Sequence, residues 1–471
     1  MRYVALAAGF DATLARNGQC DARCVEALRA IAASGRKLIL VTRRELRDVL
    51  QNFPEAGVFD YLVAESGAVM HRTATRESTI LAHAPPENFV QELRRRRVTP
   101  LAVGSSIITT DCVHEDEVAA AIRKLQLDCE LVTNDDTLII LPGGLSKVSG
   151  VQAALDELGL SAHNLVAIGD AASDLPLFDL AEHAVAVHNA DALLNRSADR
   201  TTQDANGEGF IEFARELIET DLAAAPPRYR IVLGLLENQQ EATILPSEAS
   251  LLVCGPDGSG KAAMCNKLLD QLLNHHYQCC VIGVDLNSRH AVPAKVEVFG
   301  DVQQPPLLAD ILSAVENPAN SIAVNLGALP AGQMPAFTNT LLVQLHALHD
   351  RMGRPHTIVL DDADCILDDS SVVPLPADDV TMIYSSSAPA QIPREILRSV
   401  QTVVALGTAS SLLDDVCRAT GQPPLALGEV LLPADQALLW AQQDDVPPVR
   451  LRCTNVHRSS VAHSDTRTEY A

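Results

Sequence analysis

The sequence has 471 residues, 47% hydrophobic and 20% charged, which is the length of two or three domains with enough apolar surface for real cores. Sixty acidic residues against 36 basic ones leave a net charge of −24. That balance argues against sequence-independent nucleic-acid binding and against docking on anionic lipid, since both need cationic surface. No apolar run approaches the roughly 20 residues of a membrane helix. The opening run, Met1 to Ala8, is cut short by Asp11 and reads as a first buried strand, not as a signal peptide. A cytoplasmic protein is the expectation. The 11 cysteines include the spaced pair Cys20 and Cys24 and the adjacent pair Cys279 and Cys280. Neither pair has a partner pair downstream at zinc-ligand spacing, so they read as small buried hydrophobes.

From Met1 to about Leu222 apolar runs alternate with helical patterns, the mark of βαβ units around a parallel sheet. Val4–Ala8, Lys37–Val41 and Leu165–Ile168 are predicted strands, and Val25–Ala33 and Val151–Leu158 predicted helices. The run Arg94–Arg97 reads as a solvated helix C-terminus, where cations offset the dipole. Ala223-Ala224-Ala225-Pro226-Pro227 is a linker signal, because paired prolines stop helix and sheet, and the linker is set at 223–229. The α/β pattern then restarts over 230–410. Ser250–Cys254, Cys279–Val284 and Thr357–Leu360 are predicted strands, and Lys261–Leu273 a helix. Residues 411–471 are expected to be an extension, polar and loose from about His457.

Chemistry-bearing residues of the first half gather at strand ends, where open α/β sheets place their ligands. Gly9-Phe10-Asp11-Ala12-Thr13 follows the first strand and Thr42-Arg43-Arg44 the second. Lys147 opens a helix, and Gly169-Asp170-Ala171-Ala172-Ser173-Asp174 follows a later strand. The order and spacing of these four segments resemble the haloacid dehalogenase (HAD) superfamily, closest to its Cof-type and sucrose-phosphatase-like branch. The resemblance covers residues 1–222 and implies a Rossmannoid parallel sheet with a small α+β cap, here about Thr79 to Leu141. It implies a phosphatase in which Asp11 is general acid and base, Thr42 and Lys147 hold the phosphoryl group, and Asp170 and Asp174 hold Mg²⁺. The family's nucleophilic aspartate falls on Gly9, its motif glycine on Ala12, and its fourth-motif asparagine on Ser173. Glycine offers neither a nucleophile nor a metal ligand. Losing a covalent nucleophile costs on the order of 10⁶ in rate. Asp11 leaves the strand in another direction, and in attacking would abandon its acid/base work.

In the second half, Leu251–Cys254 leads into Gly255-Pro256-Asp257-Gly258-Ser259-Gly260-Lys261-Ala262. This is a Walker A loop between strand and helix, with Ala262 where Ser or Thr would ligate Mg²⁺. Its backbone N–H groups, Lys261 and the helix N-terminus suit the phosphates of ATP or ADP. Thr357-Ile358-Val359-Leu360-Asp361-Asp362 reads as a Walker B strand, with Asp361 toward magnesium and Asp362 one methylene short of a water-orienting Glu. The pattern over 230–410 resembles FtsK/HerA-type P-loop ATPases. Val281–Asp285 looks like the strand after the first helix there, and Ser385, at the polar end of another core strand, reads as a strand-to-loop turn, with a sensor role as the alternative. Such relatives are often DNA motors, but the acidic charge and 3% aromatic content weigh against nucleic acid here.

Three functions follow: a phosphatase working by an altered route, a slow ATPase with the first half as ligand sensor, or a paired pseudoenzyme responding to a phosphorylated small molecule and a nucleotide. Loss of catalytic parts in both halves favours the third. The ligand of the cap and the oligomeric state are not legible in the sequence.

Overall fold

Strand Ala5–Gly9 is buried at every residue. It lies at the middle of an eight-stranded sheet ordered Arg200–Thr201, His183–Ala186, Leu165–Gly169, Ala5–Gly9, Lys37–Val41, Tyr61–Ala64, Val69–Arg72, Glu77–Ile80. The first six are mutually parallel, and the last two join by successive antiparallel pairings, so only Val69–Arg72 runs against the rest. Strands buried on both faces need continuous apolar runs, which is why they stand out in the sequence. The computed structural model describes all residues except 135, 247–249, 285, 287–292, 294, 370–379, 429, 443–445 and 454–471. Asp285 and the tail from His457 therefore lie outside the described residues. The chain divides into two compact units, Tyr3–Ala225, and Pro226–Ala471 with Met1–Arg2.

In the first unit, helices start where a side chain can accept the free N–H groups of the first turn. Asp21 accepts from Arg23 N at 2.6 Å to begin Ala22–Ala33. Ser146 and Ser149 cap each other's backbone to begin Lys147–Leu158, and Gly159 ends that helix in the left-handed conformation. Lys147 thus sits at a fixed helix start. The cap is a separate four-stranded antiparallel sheet, ordered Cys129–Asn134, Thr137–Pro142, Ile108–Asp111, Leu101–Val103. Its core joins Phe89, Leu93 and Val118 from two helices to Ile108, Leu138 and Ile140 from the sheet. The cap boundary expected at Thr79 is corrected, because Thr79 pairs with Met70 in the main sheet. The arginine run ends helix Glu87–Arg95, where Arg96 and Lys124 donate to buried Glu92 at 2.8 and 3.0 Å.

In the second unit an eleven-stranded sheet is ordered Glu241–Ile244, Ile231–Leu236, Val449–Arg452, Gln436–Ala441, Thr402–Leu406, Ser250–Cys254, Thr381–Ser386, Thr357–Leu360, Cys279–Gly283, Ser321–Asn325, Val296–Phe299. The expected extension from residue 411 is corrected. Gln436–Ala441 pairs antiparallel with Thr402–Leu406 and with Val449–Arg452, burying Trp440 in the unit's core. An unpaired strand edge would leave backbone groups unmet, and these two strands meet them.

Within the first unit, the buried Glu65 carboxylate accepts from Ser106 N at 2.9 Å and from Ser105 N and Ile107 N at 3.4 Å. It ties a strand end of the main sheet to the cap loop. Glu65→Ala should leave these amides without a buried partner, at about 1–3 kcal/mol. Hydrogen exchange at Ser105, Ser106 and Ile107 is expected to rise about tenfold or more, with little change in strand Ala5–Gly9.

Candidate functional site

Gly9, Asp11, Thr42, Lys147, Asp170 and Asp174 come from four separate strand ends or helix starts, and the structure brings all six to one recess. Arg43 and Ser173 line it too, and its enclosed volume is about 20 Å³. That is room for one water-sized group, so a phosphoryl group would sit in its mouth.

Two of the carboxylates here, Asp11 and Asp174, are already paired with cations. Arg44 grips Asp11 with two nitrogens, Nε to Oδ2 at 3.0 Å and a terminal nitrogen to Oδ1 at 2.6 Å. Its other terminal nitrogen donates to Asp48 at 3.0 Å, and its guanidinium lies 5.2 Å from the Phe10 ring centre. Such two-point pairing fixes orientation as well as charge. Lys147 Nζ donates to Asp174 Oδ1 at 2.6 Å and to Ser173 Oγ at 3.0 Å. The other Asp174 oxygen accepts from Asp170 N and Ala171 N at 3.2 and 3.3 Å. Thr42 accepts from Arg44 N at 3.2 Å through its hydroxyl oxygen. Asp170 accepts from the buried Thr13 hydroxyl at 2.8 Å, and burial raises its pKa to about 6 against that bond.

Gly9 is closely surrounded. A Cβ placed on it would lie 2.8 Å from Thr13 Oγ1, so any side chain there needs the Thr13 hydroxyl to move. Ala12, at the motif's glycine position, has φ +53°, a conformation that favours glycine. Arg44 and Thr13 are the functional residues that sequence reasoning missed. Thr13 sat inside the quoted first motif. Arg44 had only one signal, a basic pair at a strand end of an acidic chain.

The second unit's recess follows strand Ser250–Cys254. Helix Lys261–Asn274 begins on Gly260, whose φ of +101° turns the loop's N–H groups inward. Lys261 is 8% exposed, yet its Nζ and the Ser259 hydroxyl have no hydrogen-bond partner. The nearby Asp257 carboxylate lies 3.7 Å from Nζ. Buried polar atoms are rarely left unmet, so these two mark a place for an anion. Gly255 and Gly258 complete the loop. Ala262 offers no hydroxyl. Buried Asp361 ends strand Thr357–Leu360 and accepts from Ser385 Oγ at 2.8 Å, from the strand lying between it and the loop strand. Asp362 holds φ +50° at the start of a short helix.

Comparison with known proteins finds a family match in each unit. Residues 103–213 match a family profile described as haloacid dehalogenase-like hydrolase, and residues 246–385 one described as an AAA domain. A phosphoglycolate phosphatase of Methanothermobacter thermautotrophicus is 28% identical over 222 residues, 45% of this chain and 98% of that protein. One of Haloarcula marismortui is 31% identical over 160 residues, 32% of this chain and 70% of that protein. A crystal structure of a haloacid dehalogenase-like hydrolase from Bacteroides thetaiotaomicron covers 46% of this chain and 99% of its own, at 18% identity and a TM-score of 0.42.

Hydrolases of this kind generally use Mg²⁺. The donors of the first recess do not fit a resident ion. Gly9 offers no carboxylate, Asp174 has both oxygens engaged, and Asp170 stands alone. Among the described residues no group of three acidic, His or Cys side chains could hold a metal. A dication held by fewer carboxylates binds less tightly.

The raised pKa of Asp170 carries a pH signature. The folded state holds this proton to about pH 6, the unfolded state only to about 4. Stability from this group is therefore greatest below pH 4, falls between 4 and 6, and stays low above 6. Asp170→Asn keeps an acceptor for Thr13 and removes the charge. It should stabilise the first unit at pH 7.5 by up to about 3 kcal/mol, and not at pH 4. Hydrogen exchange in strand Leu165–Gly169 measures it.

Proposed function

Because the chain belongs to the haloacid dehalogenase-like hydrolases and carries an AAA domain behind that half, we propose that it binds a phosphorylated small molecule and a nucleotide without turning the first over. The observation that carries this reading is the state of the acid/base aspartate. Asp11 lies beside a glycine where the nucleophile belongs, and Arg44 holds its carboxylate at two points. A general acid must accept and release a proton near neutral pH. Arg44 nitrogens occupy both Asp11 oxygens, so neither is free to meet a leaving-group oxygen. The recess thus loses both halves of its proton and nucleophile chemistry while keeping Thr42, Lys147 and Arg43 for an anion. Phosphoglycolate, named for the relatives, is the first ligand to try. The location is proposed to be cytoplasmic; among the described residues no helix is long and apolar enough to cross a membrane.

The native chain should release phosphate from p-nitrophenyl phosphate and phosphoglycolate at the buffer rate, with or without magnesium. Gly9→Asp with Ala12→Gly and Arg44→Leu supplies the nucleophile, relaxes the loop and frees Asp11, and should give measurable Mg²⁺-dependent turnover. Ordinary turnover by the native chain, lost on Asp11→Asn, overturns the reading.

Nucleotide binding in the second unit rests on Lys261 and the backbone N–H groups, not on a magnesium ligand. Lys261→Ala should weaken ADP by roughly 10–100-fold, the worth of a hydrogen bond from a charged donor. Magnesium should alter the affinity of the native chain little. Calorimetry on both proteins, with and without the ion, measures both effects.

A further inference from the structure

A second cavity lies in the same unit as the phosphate loop. Its volume is about 220 Å³, and Leu235, Leu236, Glu237, Gln436, Arg450 and Arg452 are among its walls. Whole-ligand pockets start near ~300 Å³, so this one is sized for part of a ligand. Its walls suit a planar heterocycle and a sugar. Leu235 and Leu236 are half-buried apolar faces, and Arg450 and Arg452 are exposed guanidinium planes of the kind that stack on aromatic rings. Glu237 is an acceptor for sugar hydroxyls, and the Gln436 amide both donates and accepts.

The pairing registers place this cavity level with the phosphate loop. Cys254 pairs with Ala405, and the next residue, Leu406, pairs with Ala437. Gln436, one step further, pairs with Arg452, which pairs with Leu235. The row Gln436–Arg452–Leu235 therefore stands at the carboxyl end of the loop strand, two to four strands across, or about 10–19 Å. A Cβ on Gly260 would lie 3.5 Å from the Ala434 carbonyl, so the turn before Gln436 packs on the loop itself. Asp361 and Ser385 lie on the opposite side of the loop strand. A nucleotide whose terminal phosphate faces Asp361 extends its other end away from that side, toward the cavity.

We propose that this cavity binds the base and ribose of a purine nucleotide whose phosphates rest on Gly258–Lys261. The proposal rests on the phosphate-loop reading above, and adds the residues that distinguish a nucleotide from a bare polyphosphate. Arg450 and Arg452 stack on or border the base, Glu237 meets the ribose, and the leucines exclude water beneath them.

The test compares ADP with inorganic pyrophosphate on the full chain by calorimetry. The native chain should bind ADP at least about tenfold more tightly than pyrophosphate. Arg450→Ala with Arg452→Ala, and separately the filling change Leu236→Trp, should each weaken ADP about tenfold or more. Pyrophosphate affinity should stay within about twofold, which also shows that each variant is folded. Equal affinity of the native chain for the two ligands, or ADP affinity untouched in both variants, overturns the cavity. Native binding of both ligands that survives Lys261→Ala overturns the phosphate-loop reading instead, and the cavity with it. Failure of the native chain to bind either ligand does the same.

Discussion

Charge at the end of a buried parallel sheet has to be balanced on the spot, because the strands beneath it offer no water. In the first unit that balance is struck inside the protein. Two cations, Arg44 and Lys147, are spent on two carboxylates, Asp11 and Asp174, and a buried hydroxyl serves a third, Asp170. Each pairing joins segments far apart in the chain, 33, 27 and 157 residues respectively. The recess is therefore a folding device as well as a site. Breaking one partner would leave a half-buried charge, the more costly outcome for such pairs.

The second unit handles the same problem differently. Its cation, Lys261, is buried with no hydrogen bond to its ammonium, only the Asp257 carboxylate 3.7 Å away, and the Ser259 hydroxyl has no hydrogen-bond partner either. One recess is self-satisfied and the other waits for a ligand. Ligand binding should therefore have unequal effects on the two units. A phosphate entering the first must displace existing bonds, while one entering the second completes bonds that are absent.

Legibility in the sequence follows the same physics. Strands buried on both faces are continuous apolar runs, so Ala5–Gly9, Lys37–Val41, Leu165–Gly169 and Ser250–Cys254 could be read nearly to their ends. Chemistry at their tips is legible with them, because Gly9, Asp11, Thr42 and Asp170 directly follow or end such runs. Glu77–Ile80 is exposed throughout, so it carries no strand signal, and its second half, from Thr79, fell within the expected cap. Val449–Arg452 alternates valine and leucine with arginine, too short to read without its partner. Arg44 escaped notice because its meaning lies in the Asp11 carboxylate and the Phe10 ring, which only folding brings to it.

The close approach of Thr13 to residue 9 also links that position to Asp170. A side chain placed at Gly9 would press on the Thr13 hydroxyl, which is the donor to Asp170. Releasing Thr13 would strip Asp170 without supplying anything in return. The two positions are therefore coupled through Asp170, and the cost of a substitution at either one depends on the residue at the other.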